Sequence, residues 1–337
     1  MEYKSVKGYG GWAQLGFLLL FTGVGLMIAA FFQFAIGFSL IPKGTSMLEA
    51  GDAMLKAMTD PKNVNTLRLM QVVSTLLMLA LPAWVFMRLC HSKHWLWLGF
   101  SRYFTIQQVV LGIILIFCAN MLAQPLVDVT KYLLKGFPSW IQKADAMEKL
   151  YNEQILLMSN LTGWGEYIVA IFIIAFFPAL FEEMFFRGAV QSTLHRWWRN
   201  PWATILVTSV LFSLIHLSIY LFLSRLLLGA ALGWIFFKSR NVWIGVIIHF
   251  FNNSFALSQV FYLKKTGGTI DTSKLDPSLP WWGVSISAFV LITVAVLFER
   301  SSKANANSIR IKEESLYAQL NPFGNIASSN SNQNLYS

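Results

Sequence analysis

The chain has 337 residues, of which 55% are hydrophobic and only 12% are charged. Soluble domains average about 25% charged residues, so this composition excludes an ordinary soluble domain and indicates a membrane protein. The net charge of +10 does not indicate nucleic-acid binding, because the Lys and Arg residues lie in loops and tails and not in a basic stripe. Phospholipid headgroups are the expected partner of these charges.

Long apolar runs predict an all-α, polytopic integral membrane protein with about eight transmembrane helices. A spanning helix needs about 20 largely apolar residues. In chain order the candidate spans are residues 12–41, 69–87, 103–127, 167–194, 201–224, 220–237, 242–263 and 280–298. Arg225 lies near one end of the sixth span, and we interpret it as reaching outward to the lipid headgroups.

The spans divide the chain into five regions. Residues 1–130 are predicted to hold three transmembrane helices with their loops, and 131–166 form an outer loop that is either a surface helix or irregular. Residues 167–263 form a core of four transmembrane helices, 264–300 contain the last one, and 301–337 are a polar, disordered tail. The first helix is interpreted as a retained anchor, because its apolar run is far longer than that of a signal peptide.

The distribution of Lys and Arg near the ends of the spans predicts the orientation. Short loops on the side of both termini carry many basic residues, whereas the opposite loops are longer and contain most of the acidic residues. The positive-inside rule therefore places both termini in the cytoplasm. We expect a protein of the plasma membrane of a bacterium.

Three polar motifs interrupt the apolar spans. The fourth span contains Glu182, Glu183 and Arg187. The fifth contains Phe212-x-x-x-His216, and the seventh contains His249-x-x-x-Asn253. Ionisable residues within spans are rare and usually mark a functional interior. These motifs are therefore the candidate site.

The first motif places two carboxylates in different surroundings. Glu183 and Arg187 are separated by four residues and share one helix face, so we expect them to pair. Glu182 points elsewhere, and the residue four positions later is Phe186. A carboxylate without a partner in a low-dielectric site is suited to act as a general base. The alternative is a structural ion pair beside a protonated Glu182.

The second and third motifs supply imidazole and amide groups. His216 taken alone is more consistent with a structural residue of the core than with a catalytic one. His249 and Asn253 share a helix face and together could donate two hydrogen bonds to one oxyanion. The alternative for this pair is hydrogen bonding between transmembrane helices.

Depth arithmetic indicates that the three motifs can meet. At 1.5 Å per residue from the cytoplasmic helix ends, Glu182 lies about 21 Å deep, His216 about 24 Å, His249 about 14 Å and Asn253 about 20 Å. These depths agree to within about two helical turns. We therefore expect the fourth, fifth and seventh spans to surround one site.

Water is the expected nucleophile, because the chain has no Gly-x-Ser-x-Gly motif or other serine nucleophile motif. In this interpretation no cofactor is needed. The same Glu182, His216 and His249 could instead bind zinc, as His₂Glu sites do, although no His-Glu-x-x-His motif is present. The two cysteines, Cys90 and Cys118, lack metal-site or disulfide spacing and are expected to be free thiols.

The three motifs, in this order and each in a predicted span, resemble those of the CPBP family. This family comprises the type II CAAX prenyl proteases and related Abi-like bacterial proteins linked to bacteriocin processing and immunity. The similarity covers roughly residues 167–263. It implies an intramembrane endopeptidase that hydrolyses a peptide bond of a peptide or protein substrate at the lipid bilayer. It implies roles for Glu182 as the water-activating base, His216 as its aid, His249 and Asn253 as the oxyanion site, and Glu183 and Arg187 as support.

Two other functions remain open at this point. A transporter or proton relay also places Glu, His and Arg in transmembrane helices, although no paired half-repeats are apparent. A non-catalytic scaffold with the same motifs would bind a substrate without cleaving it.

Overall fold

The structure is a computed structural model that describes residues 3–158, 161, 163–266 and 280–321. Within these ranges the regular structure is helical and no strand is formed. A short 3₁₀ helix, Trp95–Leu98, lies in the loop between the second and third long helices. The α-helices are α1 (Gly11–Ser39), α2 (Ala50–Thr59), α3 (Pro61–Cys90), α4 (Ile106–Leu134), α5 (Pro138–Met158), α6 (Trp164–Trp198), α7 (Pro201–Ile215), α8 (Phe222–Ser239), α9 (Val242–Lys265) and α10 (Trp281–Leu320).

The fold class is confirmed as all-α and polytopic. Within the described residues, seven helices are long and apolar enough to cross a membrane: α1, α3, α4, α6, α8, α9 and α10. Helix α7 is a shorter apolar helix of 15 residues. Its rise is about 22 Å, less than the hydrocarbon thickness of about 30 Å. Helix α7 therefore does not reach both faces of the bilayer when its first residue lies at one of them.

The predicted fifth span, 201–224, is too long. Helix α7 ends at Ile215, and residues 216–221 form turns before α8 begins. The helix stops because Leu217 adopts a left-handed conformation with φ of 50°, which is typical of the residue that ends a helix. His216 is therefore the C-cap residue of α7. The prediction that it lies inside a helical span is wrong.

Two π-helical stretches have a cause in the sequence. Residues Leu76–Ala80 precede Pro82, and Ile171–Phe176 precede Pro178. Proline cannot donate a backbone hydrogen bond and its ring crowds the carbonyl of the preceding turn, so the helix widens just before it. A third π-helical stretch, Met184–Gln191, contains no proline. It directly follows the two motif carboxylates, and π-helical stretches are frequent at functional sites.

Helix α6 runs through the interior of the molecule. Every residue from 181 to 194 is buried, so this part of the helix is almost entirely enclosed by the rest of the protein. One apolar cluster, with Leu18, Phe86 and Phe186, joins α6 to α1 and α3. A second, with Ile116 and Ile248, packs α4 against α8, α9 and α10. The first polar motif is therefore held at the centre of the helical bundle.

The predicted disordered tail, 301–337, is wrong for residues 301–320. Helix α10 has 40 residues and continues to Leu320, well past the apolar part of the chain. Its polar half is held by tertiary contacts, because Glu313 binds both Arg196 and Arg240 with N–O distances of 2.6 Å. Residues 322–337 lie outside the described residues.

The predicted outer loop, 131–166, contains α5, a helix of 21 residues. Whether α5 lies on the membrane surface stays a prediction. The remaining boundaries of the five predicted regions are likewise predictions. The last transmembrane helix begins at Trp281, close to the start of the predicted span 280–298.

Candidate active site

The buried pair of the first motif is present as predicted. Arg187 Nη1 lies 2.7 Å from Glu183 Oε1, and both side chains are completely buried. The second terminal nitrogen of Arg187 donates to the carbonyl of Gly229 in α8 at 3.0 Å. The guanidinium carbon also lies 4.9 Å from the centre of the Phe212 ring in α7. These contacts hold Glu183 as a neutralised, immobile carboxylate.

His249 connects the third motif to Glu183. Its Nδ1 lies 3.1 Å from Glu183 Oε1. Gly245, one turn earlier in α9, allows this approach, because a Cβ atom at that position would lie 2.6 Å from Glu183 Oε2. The glycine therefore leaves space that the carboxylate of Glu183 needs.

Glu182 lies between the two imidazole rings. Its Oε2 atom is 3.8 Å from His216 Nε2 and 3.8 Å from His249 Nε2. Oε2 is buried and has no hydrogen-bond partner among the described residues. Separations of this length are too long for direct hydrogen bonds and suit groups that share one bridging water.

The hydrogen bonds of the imidazole rings fix where their protons lie. His216 Nδ1 is 2.7 Å from the carbonyl oxygen of Phe212, which can only accept, so Nδ1 carries a proton. His249 Nδ1 faces the carboxylate of Glu183 and carries a proton for the same reason. In the neutral form of each ring, Nε2 is then a hydrogen-bond acceptor that faces Glu182.

The access to the site is one-sided. The exposed side-chain fraction falls from 26% at His216 to 11% at Glu182, 7% at His249 and 0% at Glu183. Solvent or substrate can therefore reach Glu182 from the side of His216. The Phe212 ring borders both imidazoles, and its centroid lies 4.7 Å from that of the His216 ring and 6.0 Å from that of the His249 ring.

Asn253 is not joined to the other motif residues. It lies one turn beyond His249 in α9, is partly exposed, and makes no hydrogen bond within the described part of the chain. Its neighbour Asn252 accepts a hydrogen bond from Asn120 Nδ2 in α4 at 2.6 Å. The structure thus brings together Glu182, Glu183, Arg187, His216 and His249, while the role of Asn253 stays a prediction.

The interpretation of Arg225 as a residue that reaches the headgroups is wrong. Its side chain is buried, Nη1 donates to the His216 carbonyl oxygen at 3.1 Å, and the guanidinium lies 4.9 Å from the centre of the Tyr151 ring. A charged residue at the end of a predicted span does not by itself indicate such partners. One available signal was that Arg225 follows the motif histidine by only nine residues.

The donor set for zinc is present, but its spacing is wide. Glu182 Oε2 and the two Nε2 atoms are the His₂Glu ligands of catalytic zinc sites. Tetrahedral zinc with bonds of about 2.1 Å brings neighbouring ligands to about 3.4 Å, closer than the 3.8 Å found here. No group of three or more His, Cys, Asp and Glu side chains in the described ranges is close enough to form a metal site. Cys90 and Cys118 are buried free thiols.

Comparison with known proteins gives one match. Residues 164–255 match the family model of the Rce1-like type II CAAX prenyl endopeptidases. This range contains all three polar motifs, and the match confirms the resemblance to the CPBP family. No curated protein and no solved structure matches the chain significantly. At the level of the family, the match supports a CAAX-type intramembrane endopeptidase with a peptide or protein substrate at the membrane.

Proposed function

We propose that this protein hydrolyses a peptide bond with a water molecule activated by Glu182, within a site formed by α6, α7 and α9. The observation that carries the proposal is the position of Glu182 Oε2, buried without a partner and 3.8 Å from Nε2 of both histidines. The family match supports the reaction class. The positions of the side chains support the mechanism.

The first step is the activation of water. A water at the point shared by Glu182 Oε2 and His216 Nε2 donates one hydrogen bond to each. As the water oxygen attacks the carbonyl carbon, Glu182 accepts its proton. His216 Nε2 orients the second hydrogen, because the bond from its Nδ1 to the Phe212 carbonyl holds the ring in place. A positioned general base contributes about 10²–10⁴-fold to the rate.

The second requirement is a donor for the tetrahedral oxyanion. His249 would meet it with a proton on Nε2, because Glu183 could then stabilise the imidazolium through Nδ1. Asn253 would add an amide hydrogen bond after a change of its side-chain rotamer. Each oxyanion donor of this kind contributes about 10²–10³-fold.

The intermediate collapses when the carbon–nitrogen bond breaks. Glu182 returns the proton it accepted from water to the departing amine. The products are a carboxylic acid and an amine, and the site regains its starting proton count. Glu183 and Arg187 stay paired throughout and set the charge of the site.

We propose a peptide or protein segment at the bilayer as the substrate, with CAAX-type ends as the class suggested by the family. The name of the family is the sole support for a prenylated substrate. We further propose a bacterial plasma membrane and cytoplasmic termini, supported by the basic loops on the side of Arg196 and Arg240.

The decisive experiment measures cleavage of a quenched fluorescent peptide with a CAAX end, with and without an S-farnesyl group, by purified protein in lipid nanodiscs. Glu182→Gln removes the base while keeping the shape, so we expect kcat to fall at least about 10³-fold. Glu299→Gln is the matched control, because Glu299 pairs with Lys238 and lies outside the site. Full activity in Glu182→Gln would end the proposed mechanism.

The same assay separates the competing functions. The zinc alternative has the His₂Glu donor set, and zinc would supply a Lewis acid if Glu182, His216 and His249 moved closer together to hold it. Activity that persists in strong chelator, with no stoichiometric zinc by elemental analysis, supports the glutamate mechanism. Loss of activity that zinc restores supports the metal. A scaffold predicts peptide binding without cleavage, and a proton relay predicts proton flux in proteoliposomes that Glu182→Gln blocks.

A further inference from the structure

Arg225 is a buried charge that the proposed mechanism does not use. It lies in the first turn of α8, and its guanidinium forms no ion pair with a carboxylate in the described part of the chain. A buried arginine without an acid partner is costly in an apolar environment. Its two contacts, the His216 carbonyl and the Tyr151 ring, must therefore account for its position.

The first contact stabilises the residue that bears the imidazole. The last carbonyls of a helix lack partners within the helix, and the His216 carbonyl is at the end of α7. The next residue, Leu217, has φ of 50°, a left-handed conformation that costs a residue with a Cβ atom about 1–2 kcal/mol. Such conformations persist where the surroundings enforce them. The hydrogen bond from Arg225 fixes the orientation of this peptide group.

His216 is consequently held at two points. Its carbonyl accepts from Arg225 at 3.1 Å, and its Nδ1 donates to the Phe212 carbonyl at 2.7 Å. Nε2 is the remaining polar atom of the residue's side chain, and it faces Glu182. A shift of the backbone at residue 216 would therefore move Nε2 relative to Glu182.

The second contact connects this arrangement to α5. Asp145 accepts from the Tyr220 hydroxyl at 2.6 Å, Glu148 accepts from the Ser218 hydroxyl at 3.2 Å, and Tyr151 lies under Arg225. The three α5 residues are spaced by three and form one stripe of the helix. This stripe, Asp145, Glu148 and Tyr151, covers the turn between α7 and α8.

We propose that Arg225 is a positioning residue for His216 and that Tyr151, in the α5 stripe, holds Arg225 in place. The inference rests on the proposed function, because it assigns Arg225 to the orientation of the imidazole that assists Glu182. Arg225 touches neither the substrate nor the reacting atoms. Its effect is on the geometry of the site and thus on kcat.

The experiment compares Arg225→Gln, Arg225→Lys and Lys135→Gln in the peptide assay. Arg225→Gln should lower kcat by about tenfold to a hundredfold with KM within about twofold, since small misplacements of reacting groups have effects of this size. Arg225→Lys keeps a charged donor and should recover most of kcat. Lys135→Gln removes an exposed charge next to α5 and should match the parent. Equal kcat in Arg225→Gln and Lys135→Gln would overturn the proposal.

A second measurement does not depend on cleavage. Diethylpyrocarbonate modifies accessible imidazoles, and mass spectrometry gives the rate for the peptide that contains His216. We expect severalfold faster modification in Arg225→Gln and in Tyr151→Leu, which removes the ring under the guanidinium while keeping a side chain of similar bulk. Rates equal to the parent in both variants contradict the proposal. If Glu182→Gln cleaves normally, the proposed function fails, and the modification rates alone decide whether Arg225 positions His216. If Arg225→Gln does not fold, Tyr151→Leu is the test variant for both kcat and the modification rate.

Discussion

Glu182 and Glu183 are adjacent in the chain but have opposite environments. Glu183 is completely buried and its Oε1 is bound by Arg187 and His249, although its Oε2 has no hydrogen-bond partner among the described residues. Glu182 is partly accessible, and its Oε2 is bound by no side chain in the described part of the chain. Two carboxylates in one site can therefore have two roles, one as a fixed counter-charge and one as a base. Their different directions follow from the 100° step between adjacent helical residues.

Gly245 gives a test of how closely Glu183 is packed. In Gly245→Ala the new Cβ atom would lie 2.6 Å from Glu183 Oε2, so the carboxylate must shift and carry His249 with it. We expect kcat to fall at least about tenfold, measured in the peptide assay, together with a lower Tm. Gly16→Ala is the control, because no atom lies within 4 Å of a Cβ at that exposed helical position. Helix propensity predicts an equal or higher Tm for this control. A fully active Gly245→Ala would mean that the position of Glu183 is not critical.

The sequence predicts the contacts of single residues when they are local. The pair formed by Glu183 and Arg187 follows from their spacing of four, and the structure contains it. Arg225 was misread because its partner Tyr151 belongs to another helix and its other partner is a backbone carbonyl. Neither kind of partner leaves a periodic signal. The bond between His249 and Glu183 depends on the packing of α9 against α6. The estimated depths of the two residues are consistent with this packing but do not predict it.

At the scale of elements, hydropathy identifies helices but does not locate their ends. The turn after Ile215 contains Leu217, Ile219 and Leu221, so the apolar run passes through it without a break. The turn is formed by the left-handed Leu217 and by the Ser218 hydroxyl, which accepts from the Leu221 amide. For α10 the prediction fails in the opposite direction, because it ends the helix too early. Its polar half has low hydropathy, but tertiary ion pairs make it a helix.

The polar half of α10 predicts a stabilising role for Glu313. Its carboxylate lies between Arg196 and Arg240, and the three side chains are 12–19% exposed. Glu313→Gln leaves the two guanidinium groups facing each other without that charge, so we expect a loss of about 2 kcal/mol in stability. Thermal unfolding in detergent measures this as a Tm lower by several degrees.

The control for this prediction is Glu314→Gln, an exposed neighbour on the same helix. Peptide cleavage by Glu313→Gln should stay near that of the parent at a temperature where the protein is folded, because Arg196 lies about 20 Å from Glu182 along α6. Equal Tm values for the two variants would show that the ion pairs contribute nothing measurable.

At the scale of the whole molecule, the first and the last described segments of the chain lie on one side. Lys7 Nζ donates to the Arg88 carbonyl at the end of α3, and Glu313 near the end of α10 binds the end of α6. Helix α7 starts on that side, and its 15 residues place His216 about 22 Å away. If α7 begins at the bilayer surface, a hydrocarbon thickness of about 30 Å places His216 nearer the opposite face. The exposure of His216 relative to His249 points in the same direction.

We therefore predict that substrate reaches the site from the face opposite the termini. A highly charged, membrane-impermeant peptide should be cleaved by right-side-out vesicles of an expressing bacterium and by inverted vesicles only after detergent is added, because the termini are expected in the cytoplasm. Single cysteines introduced by Lys303→Cys and Lys135→Cys report the orientation through an impermeant maleimide, since both positions are exposed and the native thiols are buried. Labelling of position 135 only in right-side-out vesicles and of position 303 only in inverted vesicles is the expected pattern. Cleavage by intact inverted vesicles with that labelling pattern would place access on the cytoplasmic face and contradict the prediction.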